Sequence, residues 1–246
     1  MKNKTYLVVL VASLGAHSLA TAALTSTNQT NGASNFFDSG ITSSLVTVGA
    51  PSLASVNAST PHGFSVLGLN DGAANVSGAG LTWYYQNSGK MPATITFQLT
   101  AGYDITSIAS LSGWGNTASD GAYFGSQQFQ LSLETGFSGT YVPYANPEVI
   151  TGPTGISGHF GYSTFSGNNT FSTLTTITDT AGPIATNVTG IRFVFVDPYP
   201  TTGIPDHGTV IRELSVFGTA TPVPEPSTLL VTFSGLIGVV FLRRRN

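Results

Sequence analysis

The chain contains no cysteine. That excludes a thiol nucleophile and a thiolate metal site, and it leaves the fold to be held by its core, with or without a metal, rather than by disulfides. Charge is also scarce, at 8% of residues, and positive charge is scarcest. Between Ala23 and Thr221 the only cations are Lys90, Arg192 and Arg212. The acids are Asp38, Asp71, Asp104, Asp120, Glu134, Glu148, Asp179, Asp197, Asp206 and Glu213, so three cations against ten acids leave a net −7. A body of that sign is repelled by phosphate backbones, which argues against a nucleic-acid partner. The same acidity suits cation binding, calcium included.

The chemistry-bearing motifs are missing as well. His17, His62, His159 and His207 are scattered without metal-ligand spacing. There is no Gly-x-Ser-x-Gly elbow and no phosphate-binding glycine loop. Most acids sit beside Gly or Pro, as in Asp71-Gly72, Asp120-Gly121 and Asp197-Pro198, the setting of structural turn carboxylates. The chain is therefore expected not to be an enzyme. A glycosidase-type pair of carboxylates is the one catalytic arrangement that spacing leaves open.

The middle of the chain reads as strands and turns. "ATITFQLT" (93–100) alternates Ile95, Phe97 and Leu99 with Thr94, Thr96 and Gln98, and "QFQLSLE" (128–134) alternates in the same way. Period-two alternation marks half-buried strands. "IRFVFVD" (191–197) and "TVIRELSVFG" (209–218) are more continuously apolar or β-branched, as in central strands with neighbours on both sides. Weaker candidates are 43–49, 80–86, 104–111 and 171–178. Asn70-Asp71-Gly72, Asn87-Ser88-Gly89, Ala181-Gly182-Pro183 and Asp206-His207-Gly208 punctuate them. No stretch carries a sustained helical repeat, so the expected fold is all-β, an antiparallel β-sandwich or jelly roll over 41–218, preceded by a loose lead-in over 23–40.

Both ends read as targeting segments. Lys2 and Lys4, the apolar run Leu7–Leu14 and Ala20-Thr21-Ala22 predict a signal peptide over 1–22. At the other end, "TATPVPEP" (219–226) is a stiff Pro-rich linker, and 227–246 reads as a transmembrane helix closed by Arg243, Arg244 and Arg245. By the positive-inside rule those arginines stay cytoplasmic, with the body outside. Pro224-Glu225-Pro226, the apolar run Leu229–Leu242 and the terminal arginines, in that order, resemble a PEP-CTERM sorting signal. The resemblance implies export by a bacterium that makes exopolysaccharide and retention at the inner membrane. It also implies processing near Pro224, Glu225 and Pro226 by an exosortase-type sorting enzyme, with release to the cell surface or matrix. The alternative is a permanent single-span anchor.

In the body, the Asn70-Asp71-Gly72 turn, "LTWYYQ" (81–86), "ITSIASLSGW" (105–114) and the closing "REL-x-VFG" (212–218) resemble discoidin-type, galactose-binding-like jelly rolls. That resemblance implies a structural calcium with Asp71 and Glu213 as side-chain ligands and Thr82 as a weaker candidate. The competing assignment has Asp71 capping a turn and Glu213 pairing with Arg212 or Arg192. Sugar-binding modules present aromatic rings from loops, and Trp114 in "SGWGN" and Tyr123 in "DGAYFG" are the candidate ligand-facing rings, with core packing the alternative for each. The chain is thus expected to be an exported, non-catalytic envelope or matrix protein that interacts with carbohydrate, exopolysaccharide being the candidate partner. A purely structural matrix protein and a secreted hydrolase are the other readings.

Overall fold

A computed structural model describes residues 24–31, 44–59, 69–72, 82–85, 91–113, 127–144, 157–162, 172–197 and 208–222. They form ten strands, β1 (Leu24–Asn31), β2 (Leu53–Ala58), β3 (Thr82–Tyr85), β4 (Ala93–Gly113), β5 (Gln127–Thr135), β6 (Val142–Tyr144), β7 (Phe160–Tyr162), β8 (Ser172–Asp179), β9 (Ala185–Val196) and β10 (Gly208–Ala220). Every pairing is antiparallel and all ten strands belong to one sheet. Among the described residues no helix is long and apolar enough to cross a membrane. The expected signal peptide (1–22) and the tail from 223 onward lie outside them.

The sheet curls because of β4. The sequence reads 93–100 and 104–111 as two strands, but they are one strand of 21 residues. Its first half pairs with β2 and β9, its second with β8 and β10. The β4–β9 ladder loses register between Gln98 and Tyr103 and again before Ile105, and such irregularities bend a strand. Gly102 sits at the bend, where a Cβ would strike the Asn187 side chain. One wing of the sheet is thus β2-β4-β9-β5-β6 with β7, and the other is β1-β8-β4-β10-β3.

The alternating residues face the core as their period requires. Ile95, Phe97, Phe129, Leu131, Leu133, Ile191, Phe193 and Phe195 are buried from the first wing, and Ile108, Ile177, Leu214 and Val216 from the second. Phe129 lies at the centre of a ring cluster, with centroids 5.1 Å from Phe195, 5.5 Å from Phe193 and 6.0 Å from Phe160. Each such ring contributes roughly 1.5–3 kcal/mol by leaving water. As expected, 191–196 and 209–218 are flanked on both sides, β9 by β4 and β5, and β10 by β4 on one edge and by β3, Leu69 and Leu45 on the other.

Two expectations need correcting. Leu24–Asn31, read as part of a loose lead-in, is strand β1. It lacks apolar alternation and is held instead by polar bonds, Thr25 Oγ1 to Thr178 Oγ1 at 3.0 Å and Thr175 Oγ1 donating to Asn28 Oδ1 at 2.7 Å. The 43–49 segment is not a strand where described: 44–50 form turns, Gly49 has φ +81°, and strand β2 starts only at Leu53.

The wings meet at two ends of different character. At one end Gln127 donates to the Ser110 carbonyl (2.9 Å), the Thr173 carbonyl (3.2 Å) and Thr175 Oγ1 (3.1 Å), and accepts from Ser110 Oγ (2.6 Å). This buried amide joins the start of β5 to the end of β4 and the start of β8. The ends of β4, β7 and β9 therefore gather with the starts of β5, β8 and β10, and the connections 114–126, 163–171 and 198–207 all span strand ends at this end. At the opposite end Asp104 Oδ1 accepts from the Asn187 N–H (3.1 Å) and Thr221 Oγ1 (2.9 Å), and Thr221 N donates to the Gly102 carbonyl (2.9 Å). Leu24 pairs with Asp179 there, so the described chain both starts and leaves at this second end.

Candidate functional site

Of the site residues read from the sequence, Asp71 and Glu213 are described and are brought together. Trp114 and Tyr123 lie outside the described residues, between Gly113 and Gln127, as do Pro224, Glu225, Pro226, Arg243, Arg244 and Arg245. The backbone of Thr82 is described, at the start of β3, but its side chain is not.

Glu213 follows a β-bulge. Ile211 pairs with Ser112 and Glu213 with Leu111, so Arg212 is the extra residue, and both Arg212 and Glu213 are fully buried. The 69–72 turn docks on this strand. Leu214 N donates to the Leu69 carbonyl (2.6 Å), Val48 N donates to the Asn70 carbonyl (2.8 Å), and the Asn70 side-chain amide donates to the Val46 carbonyl. The Gly72 N–H then reaches Glu213 Oε2 at 3.3 Å, with Asp71 beside it. Burial, with the Asp71 carboxylate next to it, pushes Glu213 up to about 9. Burial lowers Arg212 to about 10, against the pull of Asp71 and Glu213.

Glu213 is buried while Asp71 beside it is exposed, and a buried carboxyl next to a second carboxylate either keeps its proton or holds a cation. Glu213 Oε1 is sealed from solvent and has no hydrogen bond of good geometry among the described residues, so it has capacity for one more partner. The donor set thus fits a hard cation in kind. Among the described residues no group of three or more His, Cys, Asp or Glu could hold a metal, so calcium would draw most of its six to eight oxygens from backbone carbonyls. The carbonyls of Leu69 and Asn70 already accept from Leu214 N and Val48 N. The alternative pairing of Glu213 with Arg192 is excluded, because Arg192 lies on β9 in the other wing, stacked on Tyr141.

A second polar cluster was not legible in the sequence. It lies on the outer face of β4, β9 and β5, where Thr96, Arg192 and Ser132 form one cross-strand row and Gln98, Gly190 and Glu134 the next. The Arg192 guanidinium carbon sits 3.8 Å from the Tyr141 ring centroid, and its Nε donates to Thr96 Oγ1 at 3.4 Å. Glu134 accepts from the Gly139 N–H (2.6 Å) and from Gln98 Nε2 (3.1 Å), and Gln98 Oε1 accepts from the Tyr141 hydroxyl (3.3 Å). Burial and Glu134 raise the Tyr141 phenol, and Arg192 opposes them. The one outward signal in the sequence was Arg192 itself, a charge between Ile191 and Phe193.

Residues 222–245 match the PEP-CTERM protein-sorting motif. The chain therefore carries an export and sorting signal of that class at its C-terminal end. No curated protein matches the chain. Similar solved structures include a family 32 carbohydrate-binding module from Clostridium perfringens in complex with galactose. It has 15% identity and a TM-score of 0.40, covering 66% of this chain and 91% of that one. An F5/8 type C domain from Bacteroides fragilis has 15% identity and a TM-score of 0.38, covering 68% and 92%. A second Clostridium perfringens module, from a family 31 glycoside hydrolase, has 14% identity and a TM-score of 0.38, covering 68% and 92%.

Proposed function

We propose that this is an exported, non-catalytic, saccharide-binding protein of the bacterial envelope or extracellular matrix, with a body of the β-sandwich or jelly-roll kind. On this reading the tail first holds it at the inner membrane with the body outside. An exosortase-type enzyme then recognises Pro224, Glu225 and Pro226 and releases it towards the surface, where exopolysaccharide is the candidate partner. The observation that carries the reading is the opposition of the two ends. The chain leaves towards its sorting motif from the end tied by Asp104, Asn187 and Thr221, while 114–126, with Trp114 and Tyr123, spans strand ends at the other. An anchored body would then turn the Gln127 end, spanned by 114–126, away from the membrane. Aromatic rings with a few polar groups around them are the usual means of holding a sugar.

Asp71 and Glu213 serve this site indirectly. We assign them to a structural calcium that ties the 69–72 turn to β10, completed by backbone carbonyls of the turn. Calcium would supply the positive counter-charge that lets the buried Glu213 ionise, and it takes no part in chemistry.

The test is glycan-array binding of the full-length protein in detergent micelles, beside Trp114→Ala and Tyr123→Ala. Binding to at least one glycan class, weakened about tenfold or more by Trp114→Ala, is the expected result; stacking losses of roughly 1–3 kcal/mol correspond to that range. Absence of binding to every glycan would leave a structural matrix component as the better reading.

A further inference from the structure

We propose that the outer face of β4, β9 and β5 is a second saccharide-binding surface, separate from Trp114 and Tyr123, and that Arg192 makes it selective for sugars carrying a carboxylate. The inference takes the ligand class, a saccharide, from the function proposed above. The site and its selectivity come from the geometry of Arg192.

Arg192 and Arg212 are the only cations among the described residues, and Arg212 is fully buried. Arg192 is half-buried, and what holds it leaves its recognition edge unused. The Tyr141 ring takes one face of the guanidinium and Thr96 takes Nε. The two Nη groups have no hydrogen-bond partner among the described residues, and no ion pair joins Arg192 to Glu134. Glu134 is occupied elsewhere: Gly139 and Gln98 satisfy its two oxygens, and it is 4% exposed.

A stacked guanidinium is already ordered, so little rotamer freedom is lost when its free edge binds. That edge matches a carboxylate through two parallel hydrogen bonds. The neighbouring side chains in these rows present no exposed charge. On β4 and β5, which flank β9 on either side, the half-buried Thr94, Thr96 and Gln130 offer hydroxyls and an amide to sugar hydroxyls, with Val194 between Thr94 and Gln130 and Ser132 buried beside Arg192. The body's net −7 does not draw polyanions from a distance, but at physiological salt a charge is felt over only about 8 Å. Recognition here is by contact, and the only acid in these two rows is the buried, hydrogen-bonded Glu134.

The experiment is calorimetric titration of the full-length protein in detergent micelles with hexagalacturonate and with its methyl ester, for the parent and for Arg192→Lys. We expect the acid to bind at least tenfold tighter than the ester. Arg192→Lys should lose most of that preference while keeping its melting temperature and any Trp114-dependent binding of neutral glycans. Equal binding of acid and ester by the parent overturns the proposal, and that comparison needs no variant to fold. A preference that survives Arg192→Lys overturns it too. If neutral glycans bind through Trp114 with no preference for the acid, only this inference fails. If no glycan binds at all, the proposed function fails with it.

Discussion

The backbone N–H of Gly72 donates to Oε2 of Glu213 across 3.3 Å, joining a turn to a strand far along the chain at a point where Asp71 stands beside the same carboxylate. The backbone hydrogen bonds from the turn do not compensate a buried charge, and burial together with Asp71 holds Glu213 near 9. Its value in the unfolded chain is the ordinary 4.5. The folded state therefore binds more protons than the unfolded state between those values. Without calcium, the stability tied to Glu213 is fully present below about pH 4.5 and is lost as pH rises through about 9. Melting in a chelator should show a Tm that falls across this window. Calcium should raise Tm and flatten the slope, and Glu213→Gln should remove both the slope and the calcium response. A pH-independent Tm for the parent in chelator would refute the protonated state.

Gly190 is required by what crosses it. A Cβ at this position would lie 2.5 Å from the Tyr141 hydroxyl and 2.6 Å from Glu134 Oε2. Gly190→Ala should therefore push Tyr141 off β9 and with it the support under Arg192. Overpacking of this kind costs about 1–3 kcal/mol, or a fall in Tm of very roughly 2–12 °C for a chain of this size. Urea unfolding of the variant checks the cost, and an unchanged midpoint would show that Tyr141 is not held as described.

How far the sequence reached depended on whether a feature was local. Alternation over 93–100 and 128–134 oriented the apolar face of both strands correctly, although on β5 the polar face is largely buried too, at Gln128, Ser132 and Glu134. The union of 93–100 with 104–111 was hidden, since each half is a sound strand and the bend depends on Asn187 packing at Gly102. Strand β1 was hidden for the opposite reason: only Leu24 in it is an apolar core residue, and its partners are side chains on β8. Asp71 and Glu213 were paired through a family resemblance, not through spacing. The Arg192–Tyr141 stack could not be read at all, because the ring arrives from the segment after β5.

The turn after β5 carries an aromatic residue in a backbone conformation that suits glycine. Gly136 and Phe137 have φ of +61° and +55°, and Ser138 N donates to the Thr135 carbonyl at 3.3 Å, the pattern of a type I′ hairpin turn. Phe137 is 57% exposed, so its ring gains little from burial to offset the crowding of its Cβ. Phe137→Asn should stabilise the protein by about 0.5–1 kcal/mol, since Asn tolerates this region, and the Phe137 N–H bond to Thr189 Oγ1 (2.9 Å) is kept. Phe137→Val should lose a comparable amount, because a β-branched residue fits positive φ worst. Urea midpoints of the two variants moving in the same direction would contradict this account.

The sorting motif over 222–245 begins where the described chain ends, at the Thr221–Pro222 exit tied to Asp104 and Gly102. Every described strand therefore ends before the Pro-Glu-Pro residues, and cleavage beyond Pro222 would remove no described strand and break none of the described bonds that close this end. We expect intact mass of the protein from native cells, fractionated into inner membrane, outer envelope and medium, to show a species ending near Pro226 that is absent from the inner membrane. The released species should melt at the temperature of the full-length protein. Glu225→Ala should leave full-length chain in the inner membrane without altering that melt. A full-length C-terminus found only in the inner membrane of the parent would refute processing, and the tail would then be a permanent anchor that holds the Trp114 end of the body facing outward.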